Sequence, residues 1–266
     1  MNCVYIFVTN DIPDPYLNSV VHCIKKGVNH IVFVQIEDER TRQIQLNLLK
    51  SNVSNLLKDL KSGFYRYYIG DNKDRLVPLD TEYNTNEFTK LKIQYSSWHE
   101  SCLKDDTIWE IKRIKYLELR QYISSIHKKN KSAIIDVTSI KKVYIGDIFA
   151  CCLLENFGNL CTFELVGKPN YDKPWKTLIH ELEEGKDYQY ANLVETLIFK
   201  DSAKAILIRT VPLLISILGT VLFVSLTLTA VFFFGFSSLF AQAVSIIGTV
   251  LGIISFFLIY FPIRGK

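Results

Sequence analysis

The feature that most constrains this chain is a long stretch without charge near its carboxyl end. From Thr210 through Ile263, 54 consecutive residues include no Asp, Glu, Lys, Arg or His. A helix needs about 20 apolar residues to cross a bilayer, so this stretch is long enough for two crossings. We therefore predict two transmembrane helices, at about 210–234 and 239–263, and exclude a purely soluble protein.

Charges on either side of the stretch predict its orientation. Lys200, Lys204 and Arg209 precede it, and Arg264 and Lys266 follow it. By the positive-inside rule, both ends of the hairpin then face the cytoplasm. Because the start of the chain does not resemble a signal peptide, we predict a two-helix, multi-pass protein of the bacterial inner membrane. Its amino and carboxyl termini are cytoplasmic, and its hairpin contacts membrane lipid.

Small and weakly polar residues are spread along both predicted helices. Gly248 and Gly252 form a G-x-x-x-G pattern, a spacing that lets helix backbones approach closely in lipid. These residues either pack the hairpin against itself or mediate oligomerisation around a water path, and the sequence leaves both interpretations open. The absence of titratable side chains argues against an ion-coupled transporter, and two helices enclose a pore only as an oligomer. The residues expected to contribute to packing or to a pore are Ser216, Thr220, Gln242, Ser245, Gly248, Thr249 and Gly252.

The first 200 residues are nearly neutral, with 27 basic and 26 acidic side chains. A protein that binds duplex nucleic acid usually needs an excess of Lys and Arg, so we expect no duplex partner. The six cysteines include no C-x-x-C pair and no histidine at metal-ligand spacing, which predicts neither a zinc site nor a redox pair. We expect no cofactor and interpret the cysteines as reduced thiols of a cytosolic domain.

Apolar and amphipathic segments alternate through residues 1–166. This alternation is typical of a parallel α/β sheet, so we predict a Rossmann-like domain over that range. The predicted strands are 2–9, 30–36, 133–137 and 161–166, and the predicted helices are 16–26, 39–61, 105–128 and 140–156.

The remaining segments are less regular. Two short strands at 65–69 and 91–95, joined by a polar loop, are predicted between the second and third helices. We interpret residues 167–203, with a short helix at 175–184, as a linker and juxtamembrane region. Residues 204–266 then form the transmembrane hairpin.

Two loops at predicted carboxyl ends of strands carry polar residues suited to a ligand, which in a parallel sheet binds outside those ends. The loop after the strand at 133–137 combines hydroxyls, two lysines and a helix amino terminus capped by Thr138 and Ser139, all of which suit a phosphate. The alternative is an ordinary helix cap beside solvated lysines. The residues considered for ligand binding in the two loops are Thr9, Asn10, Asp11, Asp136, Thr138, Ser139, Lys141 and Lys142.

Enzyme motifs are absent from the sequence. It contains no G-x-S-x-G, H-E-x-x-H, Walker A or G-x-G-x-x-G pattern. The five histidines are scattered, and Trp98-His99-Glu100 is interpreted as structural. We therefore expect a protein that is not an enzyme and that holds no catalytic or metal site.

Asp136, Thr138 and Lys142 match the pattern D-x-[ST]-x-x-x-[RK]. This match resembles the signature of CARF domains, the Rossmann-like sensors of CRISPR-associated defence, and it covers roughly residues 1–166. The resemblance implies a homodimer, or a higher homo-oligomer, that binds a cyclic oligoadenylate across its two-fold axis through the two loops. Combined with the predicted hairpin, it leads to the hypothesis of an antiviral effector in which the signal reorganises the hairpin, so that oligomers depolarise or permeabilise the inner membrane and cause growth arrest or abortive infection.

Two alternative functions fit the same organisation. One is a retron-type membrane effector, whose Rossmann-like domain senses a protein or an RNA–DNA partner instead of a nucleotide. The other is a non-enzymatic scaffold, whose hairpin only anchors a domain that binds a partner.

Overall fold

The structure, a computed structural model, describes residues 2–39, 42–104, 107–196, 210–235, 238–239, 242–243 and 246–252. The chain divides into two compact units, Met1–Thr196 and Leu197–Lys266. The first unit contains a Rossmann-like α/β sheet, and the second contains the uncharged stretch.

The first unit is built on a six-stranded sheet with the strand order β5-β2-β1-β6-β7-β8. The first five strands in this order are parallel, and β8 runs antiparallel to β7. The strands are β1 (Cys3–Phe7), β2 (His30–Glu37), β5 (Ile108–Lys115), β6 (Ile134–Asp136), β7 (Leu160–Leu165) and β8 (Tyr188–Asn192). A separate two-stranded antiparallel sheet contains β3 (Phe64–Arg66) and β4 (Leu76–Pro78).

Helices cover both faces of the large sheet. Side chains of α1, α2 and α3 pack in one hydrophobic cluster with Val4 and Ile6 of β1. Side chains of α4 and α5 pack in a second cluster with Cys3 and Phe7 of the same strand. Because β1 is buried on both faces, it reads as a continuous apolar run. The helices are α1 (Asp14–Lys25), α2 (Leu46–Lys61), α3 (Thr85–Leu103), α4 (Leu119–Lys129) and α5 (Lys142–Leu154).

The predicted helix at 105–128 is wrong over its first half. Ile108, Ile111 and Ile114 are spaced by three residues, which imitates a helical face. In the structure they belong to β5, which pairs with all eight residues of β2 in parallel register. Only after the short 3-10 turn Tyr116–Glu118 does a helix, α4, begin.

The predicted strand at 91–95 is also wrong, because these residues lie inside α3. The helix begins with a capping box, in which the Asn84 side chain accepts from the Glu87 amide and the Glu87 carboxylate accepts from the Asn84 amide. Asn84 and Glu87 have the N-x-x-E spacing that favours a helix start. The predicted strand at 65–69 corresponds to β3, which is shorter.

Other boundaries differ from the predictions. Helix α2 begins at Leu46 instead of position 39, and α5 covers Lys142–Leu154 instead of 140–156. The predicted helix at 175–184 is only the 3-10 turn Pro174–Thr177. The first unit does not end at 166, because β8 completes the sheet and the unit extends to Thr196.

The second unit contains α6 (Thr210–Phe234), whose bounds agree with the first predicted hairpin helix. Its side chains are described at 217–229 and 231–233. Among the described residues, none of the helices has both the length and the hydropathy that a membrane crossing needs. Of the second predicted helix, residues 246–252 are helical, whereas 253–263 lie outside the described residues.

Candidate ligand-binding site

The strand order places the two predicted ligand loops side by side. From β1, the chain moves to β2 on one side through α1, and it later returns to β6 on the other side. The sheet therefore has a topological switch point between β1 and β6, where parallel α/β sheets open a crevice at the carboxyl ends of their strands. We call this edge of the sheet the carboxyl edge and the opposite one the amino edge.

A hydrogen bond joins the two loops at the switch point. Thr9 Oγ1 donates to the carbonyl oxygen of Ser139 at 2.7 Å, although these residues are 130 positions apart in the chain. The Tyr16 hydroxyl, on α1, accepts from the amides of Thr9 and Asn10 at 3.2 and 3.4 Å. These contacts fix the first loop against both α1 and the second loop.

The remaining groups of the first loop have different roles. Asn10 Oδ1 accepts from the Ile12 amide at 3.1 Å, so this side chain shapes the turn. The carbonyl oxygen of Asp11 accepts from Asn52 Nδ2 of α2 at 3.2 Å, and the residue itself is exposed. Asp11 therefore places a carboxylate at the surface of the loop.

Asp136 and Thr138 lie in a buried hydrogen-bond network below the second loop. Asp136 has no solvent exposure, and it accepts from the Thr138 amide at 2.9 Å and from the Tyr190 hydroxyl at 2.7 Å. Thr138 Oγ1 accepts from the Phe163 amide at 2.8 Å and lies 3.2 Å from Ser19 Oγ. These two side chains therefore brace the loop from inside.

Burial raises the pKa of Asp136, and the hydrogen bonds from Tyr190 and Thr138 oppose that rise. A carboxylate without solvent is stable only when its oxygens have donors. Tyr190 is thus a residue of the site that sequence reasoning missed. It lies on β8, 54 residues beyond its partner, and no local pattern links the two.

The two lysines lie at the start of α5. Lys141 is the residue before the helix, Lys142 is its first residue, and both are exposed. The prediction that Thr138 and Ser139 cap the helix is wrong, because the helix starts later and has no side-chain cap. The helix amino terminus and two ammonium groups create a positive local field beside the loop pair.

The structure brings Thr9 and Ser139 into direct contact and sets the lysines beside them, while the contact of any of these residues with a ligand stays a prediction. In the described residues no group of three or more His, Cys, Asp or Glu side chains could hold a metal ion. The arrangement brings hydroxyl, amide and cationic groups together at the carboxyl edge of the sheet. Such a combination suits an anionic ligand with several polar atoms.

In the second unit, one of the predicted packing residues lies at a close contact between helices. A Cβ at Gly248 would overlap the Phe223 ring of α6, whereas a Cβ at Gly252 would have no neighbour within 4 Å among the described residues. Thr220, Gln242 and Thr249 are exposed within the chain. Ser245 and the side chain of Ser216 lie outside the described residues.

Comparisons with known proteins found limited similarity. No family model matches the chain, and no curated protein matches it. Among solved structures, it is similar to Enterococcus italicus Csm6 bound to cyclic hexa-2'-fluoro-hexa-dAMP, with 10% sequence identity and a TM-score of 0.37. The alignment covers 99% of this chain and 59% of that one, so the chain spans less than two thirds of the Csm6 chain. Its own sheet defines the first unit as a Rossmann-like α/β domain with a polar loop pair at the switch point.

Proposed function

We propose that the chain is a sensor and effector of bacterial antiviral defence, in which the first unit binds a cyclic oligoadenylate and the second acts on the inner membrane. The observation that carries the proposal is the Thr9–Ser139 hydrogen bond, which joins two polar loops at the switch point beside Lys141 and Lys142. A parallel α/β sheet binds ligands at this place. The resemblance of Asp136, Thr138 and Lys142 to the CARF signature supports a nucleotide as the ligand.

The proposed assembly is a homodimer through α5. This helix is apolar on nearly all sides, yet one of its faces is exposed. Along that face, Val143 is 49% exposed and Leu154 is 55% exposed, with Gly146 and Ala150 between them. An apolar helix with an uncovered face favours burial against a partner. A second copy is the partner that fits, because a two-fold axis beside α5 brings two Lys142 side chains toward one cyclic ligand.

The second unit is proposed to insert as a two-helix hairpin in the inner membrane, with both termini in the cytoplasm. The uncharged stretch from Thr210 through Ile263 supports this placement. Binding of the ligand then reorganises hairpins in the oligomer, which depolarises or permeabilises the membrane. The chain acts through binding and assembly, and we propose no enzymatic activity for it.

The affinity of the Lys142→Glu variant for a cyclic oligoadenylate tests the proposed site. A charge-assisted hydrogen bond is worth about 1.5–3 kcal/mol, so we expect at least roughly ten-fold weaker binding of cyclic tetraadenylate or cyclic hexaadenylate in calorimetry. Lys129→Glu makes the same change of charge at the amino edge, on the last residue of α4, and should bind like the wild type. A linear oligoadenylate of matched length tests the need for a ring.

Three outcomes would contradict parts of the proposal. Equal affinity of the wild type and Lys142→Glu would remove the lysine from the site. If no cyclic oligoadenylate binds the wild type but a protein or RNA–DNA hybrid does, the retron-type alternative gains. If the ligand binds and a potential-sensitive dye shows no depolarisation in cells, the chain is an anchored scaffold.

A further inference from the structure

A thiol, an imidazole and a carboxylate lie in a row on three neighbouring strands, away from the ligand loops. Cys3 Sγ of β1 is 2.9 Å from His30 Nδ1 of β2. On the other side of the same ring, His30 Nε2 is 3.2 Å from Glu110 Oε1 of β5. The register explains the row, because Cys3 pairs with His30 and Glu110 pairs with the residue two positions after His30 on the same face.

The order of the three groups is that of an activated nucleophile. A histidine that accepts a proton from a thiol through one nitrogen and faces a carboxylate through the other has the arrangement of a general base with its orienting partner. This role requires the tautomer with its proton on Nε2, toward Glu110. The His30 Nε2 contact is close without forming an aligned hydrogen bond, which is common for catalytic groups before a substrate is bound.

Two polar atoms around this row have no hydrogen-bond partner among the described residues. One is His30 Nε2, and the other is the buried hydroxyl of Tyr122 on α4. The Tyr122 ring packs against Tyr5 at 6.2 Å between centroids, and Tyr5 is itself a hydrogen-bond partner of the Cys3 thiol. Buried polar atoms are nearly always satisfied, so the Tyr122 hydroxyl is a donor left over for a small polar reactant.

Burial limits the size of the reactant. Cys3 is only 6% exposed, so a macromolecule or a nucleotide cannot reach the sulfur, and the reactant proposed below is a molecule of a few atoms. Burial also raises the pKa of the Cys3 thiol, although hydrogen bonds from Tyr5 and Asn130 oppose this rise. The thiol is therefore protonated at rest, and it reacts only if a base removes the proton during the attack.

We propose that Cys3, with His30 as its general base and Glu110 as the group that orients the base, is a modification site for small hydroperoxides. The Cys3 proton moves to His30 Nδ1 while the sulfur attacks one peroxide oxygen. The O–O bond breaks, and the leaving oxygen takes the proton from the imidazolium, so that hydrogen peroxide yields water. The sulfur is oxidised to a sulfenic acid and the peroxide is reduced by the same two electrons.

Site-resolved mass spectrometry of the full-length protein in detergent tests this assignment. Two reactions are followed at each cysteine, alkylation by iodoacetamide and trapping of the sulfenic acid by dimedone after exposure to hydrogen peroxide. We expect Cys3 to react faster than Cys151, which is more exposed but has no histidine partner in the described structure. A slower reaction at Cys3 than at Cys151 would overturn the proposal.

The variant His30→Gln separates activation from a structural role because the two predict opposite signs. If His30 is the base, its removal slows both reactions of Cys3 by roughly 100-fold. If it only fills space, its removal opens the site and both reactions become faster, which overturns the proposal. His99→Gln is the matched control, because His99 lines a pocket with Cys102 on α3, and α3 packs on the opposite face of the sheet from Cys3. It should leave Cys3 unchanged.

A second variant keeps the test decisive if His30→Gln disturbs folding, which would appear as faster alkylation at the buried Cys23 and Cys152. Glu110→Gln removes the orienting charge from a half-exposed position on an edge strand, where a change of fold is not expected. This variant should slow both reactions of Cys3 by several-fold, while Cys23 and Cys152 stay protected from alkylation. An unchanged rate at Cys3 would contradict the proposed relay.

Discussion

At the scale of single residues, the contact that most needs explanation is the one between Tyr190 and Asp136. It buries a carboxylate with no solvent exposure directly below the loop that is proposed to bind the ligand. Such a group adds little to stability but is costly to leave without donors. The hydrogen bond from Tyr190 instead serves to hold Asp136, and through it the Thr138 amide, in one position.

Tyr190→Phe should therefore destabilise the first unit by about 1–3 kcal/mol at neutral to alkaline pH, because one oxygen of a buried carboxylate loses its donor. The pKa of Asp136 is already raised by burial, and the Tyr190 bond lowers it. The variant raises that pKa further. A group with a raised folded-state pKa contributes stability at low pH that is lost as the pH rises through that pKa. The defect should thus shrink in acid.

Denaturant unfolding at about pH 8 and about pH 5.5, followed by tryptophan fluorescence, measures this difference. All three tryptophans, Trp98, Trp109 and Trp175, belong to the first unit. Tyr188→Phe is the control, because the Tyr188 hydroxyl faces His22 at 3.3 Å instead of a carboxylate, and its effect should not follow the same trend. A defect of equal size at both pH values for Tyr190→Phe would argue against a charged Asp136 in the folded state.

At the scale of elements, the roles of Gly248 and Gly252 can be distinguished, although both belong to one G-x-x-x-G pattern. Gly248 faces the Phe223 ring within the chain, and Gly252 faces no atom of the part that the structure describes. Gly248→Leu should force the two helices of the hairpin apart, and Phe223→Ala in the same chain should restore their contact. Gly252→Leu should leave the hairpin intact and affect only contacts between chains.

Disulfide crosslinking between cysteines introduced on the two helices measures hairpin closure, and crosslinking between protomers measures assembly. We expect Gly248→Leu to lower the first signal, with recovery in the double variant, and Gly252→Leu to lower the second alone. If the two helices crosslink as well in the Gly248→Leu variant as in the wild type, Phe223 does not set the distance between them. If Gly252→Leu assembles normally, the pattern acts within one chain only.

Several elements could be predicted from the sequence because local composition determines them. The buried parallel strands β1 and β2 read as apolar runs. The predicted range 210–234 agrees with α6, which lies wholly inside the uncharged stretch. The two loops predicted to bind a ligand do follow β1 and β6, because each comes directly after an apolar run. Edge strand β5 misled the prediction because its isoleucines, spaced by three, carry a helical period in a segment that pairs on one side only.

The contacts that close the site could not be predicted in the same way. Thr9 meets Ser139 across 130 positions, and Asp136 meets Tyr190 through a strand that was interpreted as linker. Nothing local distinguishes Tyr190 from the other tyrosines of that segment. The row of Cys3, His30 and Glu110 depends on the register of three strands, which a single sequence does not specify.

At the scale of the whole molecule, the proposed homodimer depends on the exposed face of α5. Ala150→Glu places a charge in the middle of that face, and we expect a monomeric first unit with loss of cyclic oligoadenylate binding and of depolarisation. Burying an unpaired charge in an apolar interface costs several kcal/mol. Ile93→Glu is the matched control, because Ile93 is also apolar and exposed but lies on α3.

Light scattering in detergent and calorimetry check the two parts of this expectation. An Ala150→Glu protein that remains dimeric and binds the ligand would place the interface elsewhere. A monomer that still binds with the affinity of the wild type would show that one loop pair is a complete site. Unchanged tryptophan fluorescence confirms that the variant is folded.

The antiparallel direction of β8 brings the end of this strand to the amino edge of the sheet, away from the loops at the carboxyl edge. Because β8 runs against β7, it returns the chain to the amino edge, where Asn192 Nδ2 donates to the Gly158 carbonyl and the Leu193 amide donates to the Leu160 carbonyl. Strand β8 thus ends at the edge of the sheet opposite Thr9 and Ser139. Insertions after Thr196 should therefore leave the association rate of a small solute at the Thr9–Ser139 loops unaltered, because the change is made beyond the strand that ends at the other edge of the sheet.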